Sequence, residues 1–362
     1  MKPALLIRLP SWIGDAVQAE PAVRAVVERW AADGGSARVS LAAPQPVLAL
    51  FEGAFPGAIR LAQEGRGGER VADWRGHDAA LLLTGSFRSA WTAWRAGIQR
   101  RVGWSRDARG WLLTESLRPA LERGRTPIGV GRRGRWPRYL PRPFDATCVE
   151  LVALLGVSVA DARPRLAVSS EARVRARARR AKAGLAADEP YLVVNAGMRP
   201  ASAKGYGAEA WGAVLDGLAR EAGLPAVVVG GPGEEAPVRA ACQAAGGARV
   251  VAAVDPVADL AELAALAAEA ELFLTADAGP RHVASAAGAE VVCVLGPTDP
   301  RHSAGHLERT TLVREPVECG PCHLETCPLS GPGRHACMLG VAPERVVAAA
   351  LERLARSSAA RG

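Results

Sequence analysis

The residues with most capacity for chemistry stand directly after short apolar runs. Pro10-Ser11-Trp12-Ile13-Gly14-Asp15 follows the run Ala4 to Leu9 and enters a helical pattern, so Gly14 suits a tight backbone and Asp15 lies where a helix begins. A carboxylate there is either a helix cap or a base aimed at a substrate hydroxyl, and an isolated Gly-Asp favours the cap. What raises the second reading is the rest of the chain. The loop Ala196 to Tyr206 carries Ser202 and Lys204, and lysine otherwise occurs only at Lys2 and Lys182. Lys204 can bring a fixed cation to a diphosphate with Ser202 donating a hydrogen bond, or it can be an ordinary solvated lysine. Gly230-Gly231-Pro232-Gly233-Glu234-Glu235 is a turn that lets phosphate or ribose approach closely, with a glutamate able to accept from ribose hydroxyls. The strongest local feature is Thr275-Ala276-Asp277-Ala278-Gly279-Pro280-Arg281-His282, where backbone N–H groups at a helix start suit an anion and Asp277 and His282 flank them. Gly296-Pro297-Thr298-Asp299-Pro300 supplies a further phosphate-compatible turn. Together these four loops outline a nucleotide pocket. Neither a P-loop nor a strand-linked G-x-G-x-x-G occurs, which argues against a P-loop NTPase and a standard dinucleotide dehydrogenase.

The elements that must hold these loops are apolar runs alternating with helical patterns, the signature of parallel sheets with crossover helices. The runs are Ala4 to Leu9, Ala37 to Ala42, Ala58 to Leu61, Ala79 to Leu83 and Arg101 to Trp104, then Tyr191 to Asn195, Ala226 to Val229, Val250 to Ala253, Glu271 to Leu274 and Val291 to Leu295. Two doubly wound α/β domains follow, and ligands in such sheets bind beyond the carboxyl ends of the strands. The expected division is a first domain over 1–165, a second over 166–342 that carries the four nucleotide-compatible loops and the cysteine block 319–337, and a C-terminal helix and tail over 343–362. Leu121 to Pro143, rich in Arg, Gly and Pro, reads as a surface loop.

With 362 residues the chain has room for two cores. It contains no apolar stretch of membrane-spanning length and no secretory signal, so a cytoplasmic protein is expected. Its net charge is +8, and between Arg88 and Arg142 fourteen Arg face only Asp107, Glu115 and Glu122. That segment repels itself unless an anion is near; a nucleic acid, a phosphorylated lipid and an acidic glycan are candidates, and solvated arginine is the plain alternative. No nucleic-acid motif is present, and the nine Trp read as scattered instead of interleaved with the basic stretch, so nucleic acid is not expected as a partner.

Cys319, Cys322, Cys327 and Cys337 are clustered near the C-terminus with His323 and His335 among them. Their density suggests a small structural zinc site; the rival is a thiol knuckle that packs without metal, and the spacing is not that of a common zinc motif.

Ser11 to Asp15, Thr84-Gly85-Ser86-Phe87-Arg88-Ser89-Ala90, Arg101-Val102-Gly103-Trp104 with Arg109-Gly110, Ser202 to Lys204, Asp277 to His282, Gly296 to Pro300 and the cysteine block, in this order, resemble glycosyltransferase family 9 over nearly the whole chain. The resemblance implies a GT-B fold, two Rossmann-like domains facing a central cleft, of which the first binds the acceptor and the second the nucleotide sugar, and inverting, metal-independent transfer of heptose from ADP-heptose to a heptose on the lipid A-Kdo core. It implies that Asp15 is the general base, that Ser11, Trp12, Gly14, Arg88 and Arg109 meet the acceptor, and that Ser202, Lys204, Glu234 or Glu235, Asp277, Gly279 and His282 meet the donor. Ala278 departs from the family, which usually carries Ser or Thr there, so phosphate binding would rest on backbone N–H groups. No cofactor is implied for catalysis. The acceptor would place the protein at the inner membrane leaflet, with the basic segment making peripheral contact.

Overall fold

The computed structural model describes residues 4–32, 38–64, 68–122, 138–199 and 201–361. The chain forms two compact units, one of Met1–Arg123, Pro137–Ala167 and Arg301–Gly305, the other of the remainder.

In the first unit the elements run β1 (Leu5–Arg8), α1 (Ile13–Ala32), β2 (Val39–Ala43), α2 (Gln45–Leu50), β3 (Ile59–Ala62), α3 (Val71–Trp74), β4 (Ala79–Leu82), α4 (Phe87–Arg95), β5 (Arg100–Trp104), β6 (Glu115–Leu117), β7 (Leu121–Glu122), β8 (Arg138–Tyr139) and α5 (Phe144–Ala153). Six strands form a parallel sheet in the order β3-β2-β1-β4-β5-β6. β1 and β4 are buried along their whole length, which is why β4 reads as an unbroken apolar run and β1 as one broken only at Arg8. Leu6, Ala80, Leu82, Trp74, Ala90 and Ala93 build a core between the sheet and α4. Where a continuous loop is expected from Leu121 to Pro143, β7 and β8 pair antiparallel; residues 123–137 lie outside the described residues.

The second unit contains α6 (Ser170–Lys182), β9 (Leu192–Asn195), α7 (Ala208–Ala222), β10 (Ala226–Val229), α8 (Glu235–Ala244), β11 (Val250–Ala252), α9 (Leu260–Glu269), β12 (Leu272–Ala276), α10 (Gly279–Ala286), β13 (Val291–Val294), β14 (Thr310–Val313), α11 (Ala336–Leu339) and α12 (Pro343–Arg361). Its parallel sheet has the order β11-β10-β9-β12-β13-β14. The charge on α6 is met by α9: Arg179 bonds Glu262 at 2.5 Å with both side chains nearly buried, while Arg173 and Arg180 reach Glu269. α12 is part of this unit, with Val346 and Ala350 in the core beside Trp211 and Leu215 of α7.

Both sheets share one strand order, and in each the crossovers reverse direction between the first strand and the fourth. Loops leaving those two strands open side by side at the carboxyl edge, the place where such sheets take ligands. In the first unit these are the loops carrying Ser11 to Asp15 and Thr84 to Arg88. In the second they carry Lys204 and Asp277. No helix among the described residues is long and apolar enough to cross a membrane.

Candidate active site

In the first unit Arg8 ends β1 buried within the protein, where an unpaired guanidinium would be costly. Glu69 answers it, with Arg8 Nε 3.1 Å from Glu69 Oε1. The same carboxylate accepts from Ser89 Oγ at 2.8 Å and lies 3.4 Å from Arg88 Nε, while Arg8 Nη2 donates to Ser11 Oγ at 2.9 Å. One buried ion pair thus gathers Ser11 and Arg88, two of the residues expected around the acceptor. Neither Arg8 nor Glu69 was expected from sequence, because their signal exists only once residues 61 apart are folded together. Trp12 is 65 % exposed. Asp15 occupies the first turn of α1, half-buried, where the helix dipole favours a carboxylate. It is close enough to Cys148 on α5 that, after burial itself, its charge helps raise that thiol well above its ordinary pKa, with Asp145 adding to the effect.

Arg109 sits differently from an open acceptor contact. It is fully buried, donating from Nε to the Trp104 carbonyl and from Nη1 to the Ser86 carbonyl, both at 2.8 Å. Nη2 has no hydrogen-bond partner, and burial, aided by repulsion from Arg106, lowers the guanidinium pKa to about 10. Its place is to tie the end of β5 to the N-cap of α4. Other arginines of the basic segment are also used internally: Arg100 on Glu115, Arg106 on Asp107 and Arg142 on Glu150. The tryptophans are less scattered than the sequence suggests, since Trp91, Trp94 and Trp111 gather on one surface with Phe87.

In the second unit Lys204 and Asp277, 73 residues apart, meet: Lys204 Nζ donates to the Asp277 carbonyl at 2.9 Å and to Oδ2 at 3.2 Å. On the other side Arg281 Nη1 lies 3.3 Å from Asp277 Oδ1. Burial alone would raise the Asp277 pKa; Lys204, Arg281, His282 and a hydrogen bond from Thr298 outweigh it and hold the carboxyl below its ordinary value. His282 retains some surface accessibility yet is crowded by protein on nearly every side. Burial first, then Arg281, push its pKa down to about 4, with Asp277 pulling the other way. The group is neutral near pH 7.

These shifts set a sign. The unfolded histidine titrates near 6.5, so the fold's preference for neutral His282 stabilises above that value and is lost as pH falls towards 4. Asp277, depressed below 3.8, loses its contribution only at still lower pH. A His282→Gln variant is expected to show a shallower fall in thermal midpoint between about pH 7 and about pH 5. An equal fall in both proteins would remove His282 as the source.

The remaining donor-side residues are placed by close backbone packing. Glu234 Oε2 accepts from the Gly231 N–H at 2.8 Å, and a Cβ at Gly197 would lie 2.5 Å from Gly230 Cα, so the loop leaving β9 requires glycine there. Glu235 accepts from the Gly233 N–H at 3.2 Å, and Ser202 accepts from the Lys204 N–H at 3.3 Å. Ala278 is the N-cap of α10, extended (φ −141°, ψ 174°) and without a side-chain cap; Pro280 has no N–H and the Arg281 N–H donates to the Ala278 carbonyl at 3.1 Å, which leaves the Gly279 N–H at this end for a ligand. Ala278→Ser is expected to stabilise the protein by about 1 kcal/mol in chemical denaturation; no gain would mean the cap geometry is unreachable.

The cysteine block braces these loops. The Ala203 N–H donates to the Glu325 carbonyl at 2.7 Å, the His323 N–H to the Pro297 carbonyl at 2.9 Å and the Asp299 N–H to His323 Nε2 at 3.3 Å. Cys319, Cys322, Cys327 and Cys337 line one small cavity with His335. Burial first, then the neighbouring Cys322, Cys319 and Cys327, push the Cys337 thiol up to about 11. Among the described residues no group of three or more His, Cys, Asp or Glu is drawn together as a ready metal site.

Two six-stranded doubly wound units, with an anion-compatible loop set on the second, define the GT-B class of nucleotide-sugar transferases. The model of glycosyltransferase family 9 (heptosyltransferase) matches residues 74–331. The protein belongs to that family. It is 35 % identical over 88 residues to lipooligosaccharide heptosyltransferase 2 of Campylobacter jejuni; the match spans 24 % of this chain and 27 %, about a quarter, of that curated relative's length. Among solved structures it is similar to E. coli ADP-heptose LPS heptosyltransferase II, at 21 % identity and TM-score 0.68 over 99 % of this chain and all of that one. It is also similar to the E. coli heptosyltransferase WaaC solved with ADP-2-deoxy-2-fluoro heptose, at 16 % identity and TM-score 0.60 over 98 % and 99 %.

Proposed function

We propose that the protein is a heptosyltransferase of the second-heptose type, moving L-glycero-D-manno-heptose from ADP-heptose to the heptose of the lipopolysaccharide inner core. The observation that carries this is the Lys204–Asp277 pair at the carboxyl edge of the second sheet, beside the uncapped N-terminus of α10. It is a compact cationic place for a diphosphate with the Gly279 N–H at its edge, in a family of heptosyltransferases.

In this reading the carboxylate of Asp15 takes the proton of an acceptor hydroxyl, whose pKa lies far above 7. The acceptor oxygen bonds to the anomeric carbon while the bond from that carbon to the β-phosphate oxygen breaks, and the configuration inverts in a single displacement. The electron pair leaves with ADP. Lys204 and the helix N-terminus at Gly279 meet the negative charge that grows on it, so no metal is needed. Asp277, held anionic, fixes the Lys204 ammonium. Glu234 or Glu235 accepts from the ribose hydroxyls, and the packing of Glu234 against the loop leaving β9 supports Glu234.

Incubation with ADP-heptose and core acceptors of defined length, with products identified by mass spectrometry, tests this; no heptose addition to any heptosylated acceptor would overturn it. Full activity in excess chelator is the expected sign of metal independence. Lys204→Ala is expected to weaken ADP binding about tenfold in calorimetry with little loss of fold, since Asp277 keeps Arg281. An unchanged dissociation constant would refute the diphosphate role. Zinc analysis of protein never exposed to chelator decides the cysteine block: about one equivalent supports the zinc site, and less than about a tenth supports the metal-free thiol knuckle.

The departure at Ala278 favours a second reading within the family, a different sugar nucleotide as donor. Competition among sugar nucleotides for the ADP site distinguishes the two.

A further inference from the structure

α4 is built the wrong way round for a helix lying on a sheet. Its inward face carries Ser89, Ala90, Thr92 and Ala93, all buried, whereas its large apolar residues point outward. Phe87, Trp91 and Trp94 follow one another at intervals of four and three, so they form one stripe along the helix. Their exposures are 43 %, 39 % and 43 %, and Trp111 in the turn Gly110–Leu112 adds a fourth ring at 65 %. The rings touch as one cluster: Trp91 and Trp94 centroids are 4.9 Å apart, and Trp111 lies 6.4 to 6.5 Å from Phe87, Trp91 and Trp94. A contiguous aromatic surface of this kind on a water-facing helix marks an interaction site.

Charge identifies the occupant. At about 100° per residue, Arg88 and Arg95 fall together on one flank of the stripe, next to the aromatic face and away from the buried one. Both are exposed, and α4 has no acidic residue. Among the described residues Arg95 has no ion-pair partner; Arg88, 3.4 Å from the Glu69 carboxylate through Nε, keeps more than half of its side chain exposed. A protein partner would need acidic and apolar surface in matching register. An anionic bilayer offers both as a continuum: tryptophan rings sit at headgroup level, and arginine gains from anionic headgroups.

We propose that the face made by Phe87, Trp91, Trp94 and Trp111, with Arg88 and Arg95 at its edge, seats the first unit on an anionic lipid surface by inserting its rings at the level of the headgroups. The inference rests on this surface alone and holds whichever sugar is transferred.

The test uses the full chain and vesicles of phosphatidylcholine with about 30 % phosphatidylglycerol, against pure phosphatidylcholine. Flotation with the mixed vesicles, and quenching of tryptophan fluorescence by lipids brominated near the headgroup, are the expected results. Trp94→Ser with Trp111→Ser is expected to lower vesicle partitioning by about tenfold or more. Arg95→Gln is expected to lower it about fivefold at low salt, with the difference shrinking as salt rises. Because these side chains are exposed, the thermal midpoint of each variant is expected to match the wild type. Absence of flotation, or flotation without bromolipid quenching, would overturn the proposal. So would lipid-free sedimentation in which the tryptophan variant turns a dimer into a monomer, since the face would then be a subunit interface.

Discussion

Replacement of Asp15 by Asn is expected to slow heptose transfer by about 10²- to 10⁴-fold while leaving ADP-heptose binding within about twofold of the wild type. The substitution keeps size and hydrogen-bonding capacity at the first turn of α1 and removes only the ability to accept a proton. A plain helix cap would respond differently, because Asn caps helices about as well as Asp. Stability therefore separates the two roles: an Asp15→Asn protein with unchanged unfolding and lost transfer supports the base, whereas full turnover in a purified assay eliminates it. Cys148, which shares a neighbourhood with Asp15 and Asp145, is buried and held as a neutral thiol, so it does not offer a competing nucleophile.

Removal of the Asp277 carboxylate is expected to have the largest effect on the fold. Asp277→Ala leaves Arg281, 2 % exposed, and Lys204 facing each other without their shared anion. Breaking a buried ion pair from one side costs about 3–5 kcal/mol, because the remaining charge stays desolvated. Urea unfolding followed by a signal from the second unit reads this directly; a loss below about 1 kcal/mol would show that the cations find water instead. The contrast with Lys204→Ala is informative, since Lys204 is partly exposed and its loss leaves one cation on Asp277. In the proposed function Lys204 serves binding and Asp277 serves the fold.

The sequence yields the strands that are buried on both faces, because Ala79–Leu82 or Val291–Val294 leave no polar alternative. It does not yield the sixth strand of either sheet. Glu115–Leu117 opens on a charge that Arg100 neutralises, and Thr310–Val313 carries Thr311, whose hydroxyl is held by Arg353. Edge strands use polar residues with distant partners, so their periodicity is lost. α4 escapes sequence reading for the opposite reason, since its apolar stripe faces water. At the candidate site, position after a strand is enough to find Lys204, Asp277 and the Gly-rich turn, because strand order brings those loops together. Arg109 shows the limit: an arginine beside a family motif looks like a ligand contact until its nitrogens are found on the carbonyls of Trp104 and Ser86.

The cysteine block fastens the loop of Lys204 through Ala203 and the loop after β13 through Pro297 and Asp299. Ordering such loops around a nucleotide ordinarily costs conformational entropy at the moment of binding. In the proposed function much of that cost is met when the chain folds, so a diphosphate would enter a socket whose walls are already set. Affinity for the nucleotide then depends on residues that never touch it, and a disturbance near Glu325 or His323 would be felt as weaker binding with every contact residue still in place.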